Sequence, residues 1–142
     1  NLMKKSILSI IVLLAFGITA QAQTKDKTIK AKTNKVIVLV NTAKWCPACK
    51  ANGQRVEENV VSQFMSNSKY QIVVNDMSDD KTKATSKAKC KKAGIAKIAE
   101  SNTITGVIYF INANTKEIIS QVSVVKTDEE IKTAFENAAS HI

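Results

Sequence analysis

An aliphatic run that leads into a Cys-x-x-Cys motif constrains this chain more than any other feature. Residues 36–40 are continuously β-branched or aliphatic, which is typical of a strand buried on both faces of a parallel sheet. Cys46 and Cys49 follow after a short loop. The apolar residues beyond them, up to Met65, recur at helical spacing: Val56, Val60 and Phe64. The motif is therefore predicted to join the end of a buried strand to the start of a helix.

That position has chemical consequences for both cysteines. Cys46 is expected at or just before the first helical turn, where unpaired N–H groups and the helix dipole stabilise a thiolate. Pro47 suits the first helical position because its missing N–H would be unpaired there anyway. Cys49 follows one turn later and can resolve a mixed disulfide formed by Cys46. Trp45 can shield one side of the sulfur.

Two other interpretations of the motif remain open, a static structural disulfide and half of a zinc site. Zinc normally takes four protein ligands, and the sequence has no second Cys-x-x-Cys and only one histidine, the penultimate His141. The single histidine also argues against a Ser-His-Asp hydrolase. Three cysteines are too few for a disulfide-dense miniprotein.

The remaining pattern predicts an alternating α/β domain. Further strands are expected at residues 70–75, 107–111 and 117–125, the last two forming an antiparallel hairpin. A helix is expected at residues 81–93 with Gly94 as its C-terminal cap, and a last helix begins with a Thr127–Glu130 capping box. Gly53 weakens or kinks the first helix. Residues 96–102 either form a loop over the site or extend the preceding helix.

The N-terminal residues predict export. Residues 1–22 combine Lys4 and Lys5, an apolar stretch and a small-x-small site, which is the pattern of a secretory signal peptide cut after Ala22. The apolar stretch, about a dozen residues, is short of the roughly 20 that span a bilayer, which argues against an uncleaved anchor. We expect residues 23–34 to form a flexible basic arm. The expected location is secreted or periplasmic, and loss of the two lysines lowers the formal charge from +9 to +7.

The excess of positive charge does not indicate a nucleic-acid-binding protein. The basic residues are lysines apart from Arg55, and aromatic residues do not interleave with the lysine runs. We therefore expect solvated lysine faces and no nucleic-acid partner. The length of 142 residues fits one domain, expected to be a monomer without a cofactor.

Trp45-Cys46-Pro47-Ala48-Cys49-Lys50, after residues 36–40, resembles the active site of the thioredoxin-like superfamily. Together with Val60, Val61 and Phe64 and with residues 72–78, it resembles periplasmic thioredoxin-like domains, notably the C-terminal domain of thiol:disulfide interchange reductases. The resemblance covers residues 35–142. It implies a mixed central sheet of four to five strands with helices on both faces. It also implies a secreted thiol:disulfide oxidoreductase, with Cys46 as nucleophile and Cys49 as resolving thiol.

The resemblance also implies partners and a substrate groove. The partners would be protein thiols or disulfides, with a membrane protein as a candidate electron donor. The groove would contain Trp45, Pro47 and Ala48, and a second segment, Thr103, Ile104 and Thr105. Members of this superfamily usually carry a cis-proline in that second segment, whereas this chain has Ile104 there. We predict a trans bond before Ile104, because a cis bond before a non-proline residue costs about 2.5–4 kcal/mol.

The chain departs from the superfamily's active-site pattern a second time, beneath the disulfide. The two departures together leave two alternative functions open. The acidic residue often buried beneath the disulfide is replaced by Val40, so a proton from Cys49 would need water, Glu57 or Glu58. Without the proline, the same fold could serve as a copper- or zinc-binding module, or as a non-catalytic domain that docks a partner. Cys90 could then join Cys46 and Cys49 as a metal ligand.

Cys90 itself has two interpretations. Four neighbouring lysines would favour its thiolate and make it a third redox thiol. Alternatively it is a helix cysteine packed against the sheet.

Overall fold

The structure is a computed structural model that describes residues 35–142. The predicted signal peptide at 1–22 and the basic arm at 23–34 lie outside the described residues. Within the described part, no helix has the length and apolar character needed to cross a membrane.

Within residues 35–142, four strands form one mixed sheet, as predicted. They are β1 (Val36–Thr42), β2 (Tyr70–Asp76), β3 (Val107–Asn112) and β4 (Ile118–Ser123), in the order β2-β1-β3-β4. β1 pairs parallel with β2 and antiparallel with β3, and β3 and β4 form the expected antiparallel hairpin. The central position of β1 explains its aliphatic sequence, because both of its faces are covered.

In the described part of the chain, five α-helices surround the sheet: α1 (Pro47–Val56), α2 (Ser62–Met65), α3 (Asp80–Lys92), α4 (Ala96–Ser101) and α5 (Asp128–Ser140). A π-helical turn, Glu57–Val61, joins α1 to α2. The predicted first helix is thus continuous in space but not regular. Its irregularity begins four residues after Gly53, which itself lies within α1.

The alternation of side chains along β1 divides the core into two clusters. Val36 and Val38 face a cluster that includes residues of α1, the π-helical turn and α5. Ile37 and Leu39 face the opposite cluster, which includes residues of α3 and α4. Because successive strand residues point to opposite faces, helices cover both sides of the sheet, as predicted.

The helix ends follow the sequence signals. Thr127 and Glu130 form the predicted capping box of α5. After α3, Gly94 adopts a positive φ of 74°, and the N–H groups of Gly94 and Ile95 donate to the carbonyls of Lys91 and Cys90 at 3.0 and 2.9 Å. This pair of bonds is a Schellman motif, and it ends the helix.

Neither expectation for residues 96–102 is correct. The left-handed turn at Gly94 stops α3, and the chain then forms the separate helix α4. Ala99 of α4 is buried in the cluster on the α3 side of the sheet, so the segment belongs to the core and does not form a loop over the disulfide.

Candidate functional site

Cys46 and Cys49 form a disulfide at the N-terminus of α1, with their Cα atoms 5.2 Å apart. Cys46 is the N-cap residue, and its Sγ accepts a hydrogen bond from the N–H of Cys49 at 3.2 Å. Pro47 occupies the first helical position. These placements confirm the predicted link between strand end and helix start, and they put one sulfur at the positive end of the helix dipole.

The two sulfurs differ in their surroundings. Cys46 is only 3% exposed, whereas Cys49 is half-buried. Gly106, just before β3, closes off Cys46: a Cβ at this glycine would lie 3.6 Å from Cys46 Sγ and 3.2 Å from Ala48 Cβ. Gly106 also has a positive φ of 77°, so both its backbone and its lack of a side chain suit this close approach.

Gly106 belongs to the 102–106 loop, which connects α4 to β3 and lies against the disulfide. Two buried asparagines hold this loop. Asn41 Nδ2 donates to the carbonyls of Asn102 and Ile104 at 2.7 and 3.2 Å, and Asn75 Nδ2 donates to Asn41 Oδ1 at 2.9 Å. The backbone carbonyl of Asn41 also accepts from the Gly106 N–H at 2.8 Å. One residue at the end of β1 therefore fixes the loop at three points.

The predicted groove residues differ in how far they are exposed to solvent. In the 102–106 loop, Thr103 and Ile104 are exposed and Thr105 is half-buried. No peptide bond in residues 35–142 is cis, so the predicted trans bond before Ile104 is confirmed. Ile104 is 65% exposed, and it is Gly106 that approaches Cys46. Sequence reasoning missed this glycine, although its place directly before a strand was a usable signal.

Trp45 does not cover the disulfide as a closed lid. The indole is 58% exposed and donates to the carbonyl of Met77 at 3.2 Å. The neighbouring Lys44 N–H donates to Ser78 Oγ at 2.8 Å, and Ser78 in turn is held by Asp76. The loop that carries Trp45 is thus fixed to the loop after β2.

A cavity of about 400 Å³, which we call the Cys49 cavity, lies beside the second cysteine. It is bounded by α1, the π-helical turn, β1 and β2, and Val40 forms part of its wall. Two carboxylates share the cavity, Glu57 and Asp76, whereas Glu58 does not line it and instead accepts from Gln54 at 2.9 Å. Of the two glutamates considered from the sequence, only Glu57 borders the same space as Cys49. Asp76 was not anticipated.

Comparison with solved structures decides the fold. A solution structure from Bacteroides thetaiotaomicron, provisionally described as a protein disulfide isomerase, matches with a TM-score of 0.51 and 17% identity over 75% of each chain. The described chain has a thioredoxin-like fold. Matches also include a thioredoxin of Malassezia sympodialis (18% identity, 76% and 80% of the two chains, TM-score 0.48). A secreted disulfide oxidoreductase of Mycobacterium tuberculosis matches at 14% identity over 78% and 84%, with a TM-score of 0.45.

No protein-family model and no curated protein matches the chain at the level of sequence.

In this thioredoxin-like fold, Arg55 connects the disulfide helix to the segment after β4. Its guanidinium pairs with Asp128 and donates to the carbonyls of Val124 and Lys126 at 2.8 and 3.0 Å. The hydrogen bond from Asn59, together with the Arg55 guanidinium, holds the pKa of Asp128 below its usual range. Val124 N–H donates to the carbonyl of Gly106 at 2.9 Å, so the same segment supports the 102–106 loop.

Cys90 lies apart from the disulfide of this thioredoxin-like fold. It is 1% exposed in the cluster that covers the α3 side of the sheet, and burial raises the pKa of its thiol. The expectation that neighbouring lysines favour its thiolate is therefore wrong. The structure does not bring Cys90 to Cys46 and Cys49, and residues 35–142 contain no cluster of three or more potential metal ligands among His, Cys, Asp and Glu.

Proposed function

We propose that this chain is a secreted or periplasmic thiol:disulfide oxidoreductase that exchanges its Cys46–Cys49 pair with protein thiols and disulfides. The observation that carries the proposal is the N-cap position of Cys46, whose Sγ accepts the Cys49 N–H at 3.2 Å. A thiolate at that place is stabilised by both this hydrogen bond and the helix dipole, which favours the reactive form of the cysteine.

In the reducing direction, the Cys46 thiolate attacks one sulfur of a partner disulfide. A mixed disulfide forms and the partner's other sulfur leaves as a thiolate. The Cys49 thiolate then attacks Cys46 Sγ, which releases the partner as a dithiol and leaves Cys46–Cys49 oxidised. Two electrons pass from the protein to the partner. Val40 offers no base, so the proton of Cys49 passes to water or to the carboxylates of Glu57 and Asp76 in the Cys49 cavity.

The surroundings of the disulfide support a macromolecular partner. Trp45, Ile104 and Val125 are large apolar side chains exposed by 58%, 65% and 59% in the loops near the disulfide. Exposed apolar side chains around a reactive group are a common basis for docking another protein. We propose a monomer without a cofactor. The proline after Cys46 and the lysines on either side favour the thiolate and hence an oxidising couple, although a membrane electron donor would drive the protein as a reductase.

Insulin reduction in the presence of dithiothreitol tests the proposal. We expect Cys46→Ser to abolish the acceleration given by the wild type, and Cys90→Ala, a matched cysteine replacement outside the site, to retain it. Cys49→Ser should accumulate a mixed disulfide at Cys46. Equal rates for wild type and Cys46→Ser would overturn the proposal, as would a reduction potential far below about −300 mV, which indicates a structural disulfide.

A further inference from the structure

The Cys49 cavity is built by a row of helical residues that begins at the disulfide itself. Cys49, Gly53, Glu57, Val61 and Met65 all line it, and each is four residues from the next. In a regular α-helix, residues four apart are offset by about 40° per step, so such a row would turn away from one face within a few steps. The π-helical turn Glu57–Val61 has more residues per turn and offsets this drift.

Gly53 leaves this row open next to Cys49. A Cβ placed on Gly53 would have no atom within 4 Å, so the space over this residue is empty. Glycine within a helix is less favourable than alanine, because it loses more backbone freedom on folding. No backbone strain and no close contact requires glycine at this position. The main effect of the missing side chain is therefore to leave the Cys49 cavity open.

The lining of the cavity is mainly apolar and includes charges of both signs. Val40 of β1 and Ile72 and Val74 of β2 form the sheet side, and Val74 is 42% exposed on an edge strand. Two lysines and two carboxylates stand around it: Lys44, Lys50, Glu57 and Asp76. Because the lining has two positive and two negative side chains, it does not favour a ligand of either charge. It suits a neutral apolar group whose attached polar backbone remains at the opening.

We infer that the Cys49 cavity is a subsite for a large apolar side chain next to the reactive cysteine of a protein partner. This inference rests on the proposed function, which brings a partner sulfur to the disulfide. The partner sulfur bonds to Cys46, and Cys49, the disulfide partner of Cys46, lines the cavity. The part of a partner that can enter the cavity is therefore the part close to its reacting sulfur. The volume of about 400 Å³ is at the small end of ligand sites and accommodates an aromatic or long aliphatic side chain.

Three synthetic peptides, each activated as a thionitrobenzoate mixed disulfide, test the inference. Their central sequences are Gly-Cys-Gly, Phe-Cys-Gly and Gly-Cys-Phe, and the rate of thionitrobenzoate release in a single turnover of the reduced protein gives a second-order rate constant for each. We expect the wild type to prefer at least one phenylalanine peptide over the glycine peptide by about tenfold, as one contact in an apolar pocket commonly gives. Gly53→Leu, which fills the opening, should remove this preference.

Ala51→Leu is the matched control, because it adds a leucine to an exposed position of the same helix that does not line the cavity. It should keep the preference. Gly53→Ala adds only a methyl group and should keep the preference while raising the midpoint of unfolding, which shows that the helix tolerates a side chain there. Equal rates for the three wild-type reactions, or a preference that survives Gly53→Leu, would overturn the inference while leaving the proposed function intact. Failure of the wild type to react with any peptide or with insulin would instead overturn both.

Discussion

Replacement of Asn41 by leucine tests how the fold holds the loop against the disulfide. Asn41 is fully buried at the end of β1, and its side chain makes three hydrogen bonds, to the carbonyls of Asn102 and Ile104 and from the amide of Asn75. Leucine has the same branching and the same number of side-chain heavy atoms and is the larger residue, so the exchange removes the hydrogen bonds without opening a cavity.

The expected loss of stability follows from those three bonds. Each hydrogen bond contributes about 1 kcal/mol net, and a buried partner left unpaired costs about 1–3 kcal/mol. The two loop carbonyls can turn toward water, whereas Asn75, which is 8% exposed, has less freedom. We therefore expect Asn41→Leu to lower the free energy of unfolding by about 2–4 kcal/mol. The freed 102–106 loop should also reduce insulin turnover by the molecules that remain folded.

Urea denaturation at pH 7 measures the first effect, and insulin reduction under folding conditions measures the second. Gln121→Leu is the control, because it makes the same kind of amide-to-leucine exchange on the exposed side of β4 and should change stability by less than about 0.5 kcal/mol. A loss below about 1 kcal/mol for Asn41→Leu would refute the hydrogen-bond argument. Full turnover by a strongly destabilised variant would refute the link from Asn41 to the site.

Three further predictions concern charge, the third cysteine and the glycines. Since the folded pKa of Asp128 is lowered, its stabilising effect is present above the ordinary aspartate pKa and disappears as pH falls through the folded value. Asp128→Asn should therefore flatten the loss of stability between pH 7 and about pH 2 in urea titrations, and an unchanged slope would contradict this. Ellman's reagent should titrate only two of the three cysteines in the native reduced protein and Cys90 only in urea; immediate reaction of all three would show that Cys90 is accessible. Gly94→Ala should destabilise by about 1 kcal/mol or more because of its positive φ, whereas Gly53→Ala should stabilise by about 0.5–1 kcal/mol; the same sign at both positions would refute the backbone argument.

The strands, the antiparallel hairpin and the cysteine position could be predicted because each rests on a local pattern of residues, whereas the mixed sheet followed from the resemblance to the thioredoxin-like superfamily. Features that depend on tertiary contacts were not accessible in that way. Asn41 ends an aliphatic run, and nothing local shows that its amide reaches a loop about sixty residues later. The lysine argument for Cys90 failed for a geometric reason: Lys89 and Lys91, its immediate neighbours on α3, point in other directions and are exposed, whereas Cys90 is buried in the cluster on the α3 side of the sheet.

The π-helical turn affects both the hydrophobic core and the Cys49 cavity, because residues of both lie along this helical segment. Val56, Val60 and Phe64 pack in or against the core, and their spacing of four residues matches that of the row that lines the Cys49 cavity. A regular helix would rotate both rows by about 40° at every step, so neither row would stay on one side of the helix over its whole length. The π-helical turn between Glu57 and Val61 has more residues per turn and offsets this rotation for both rows. The same deviation from α-helical geometry therefore completes the core and keeps open the space beside Cys49.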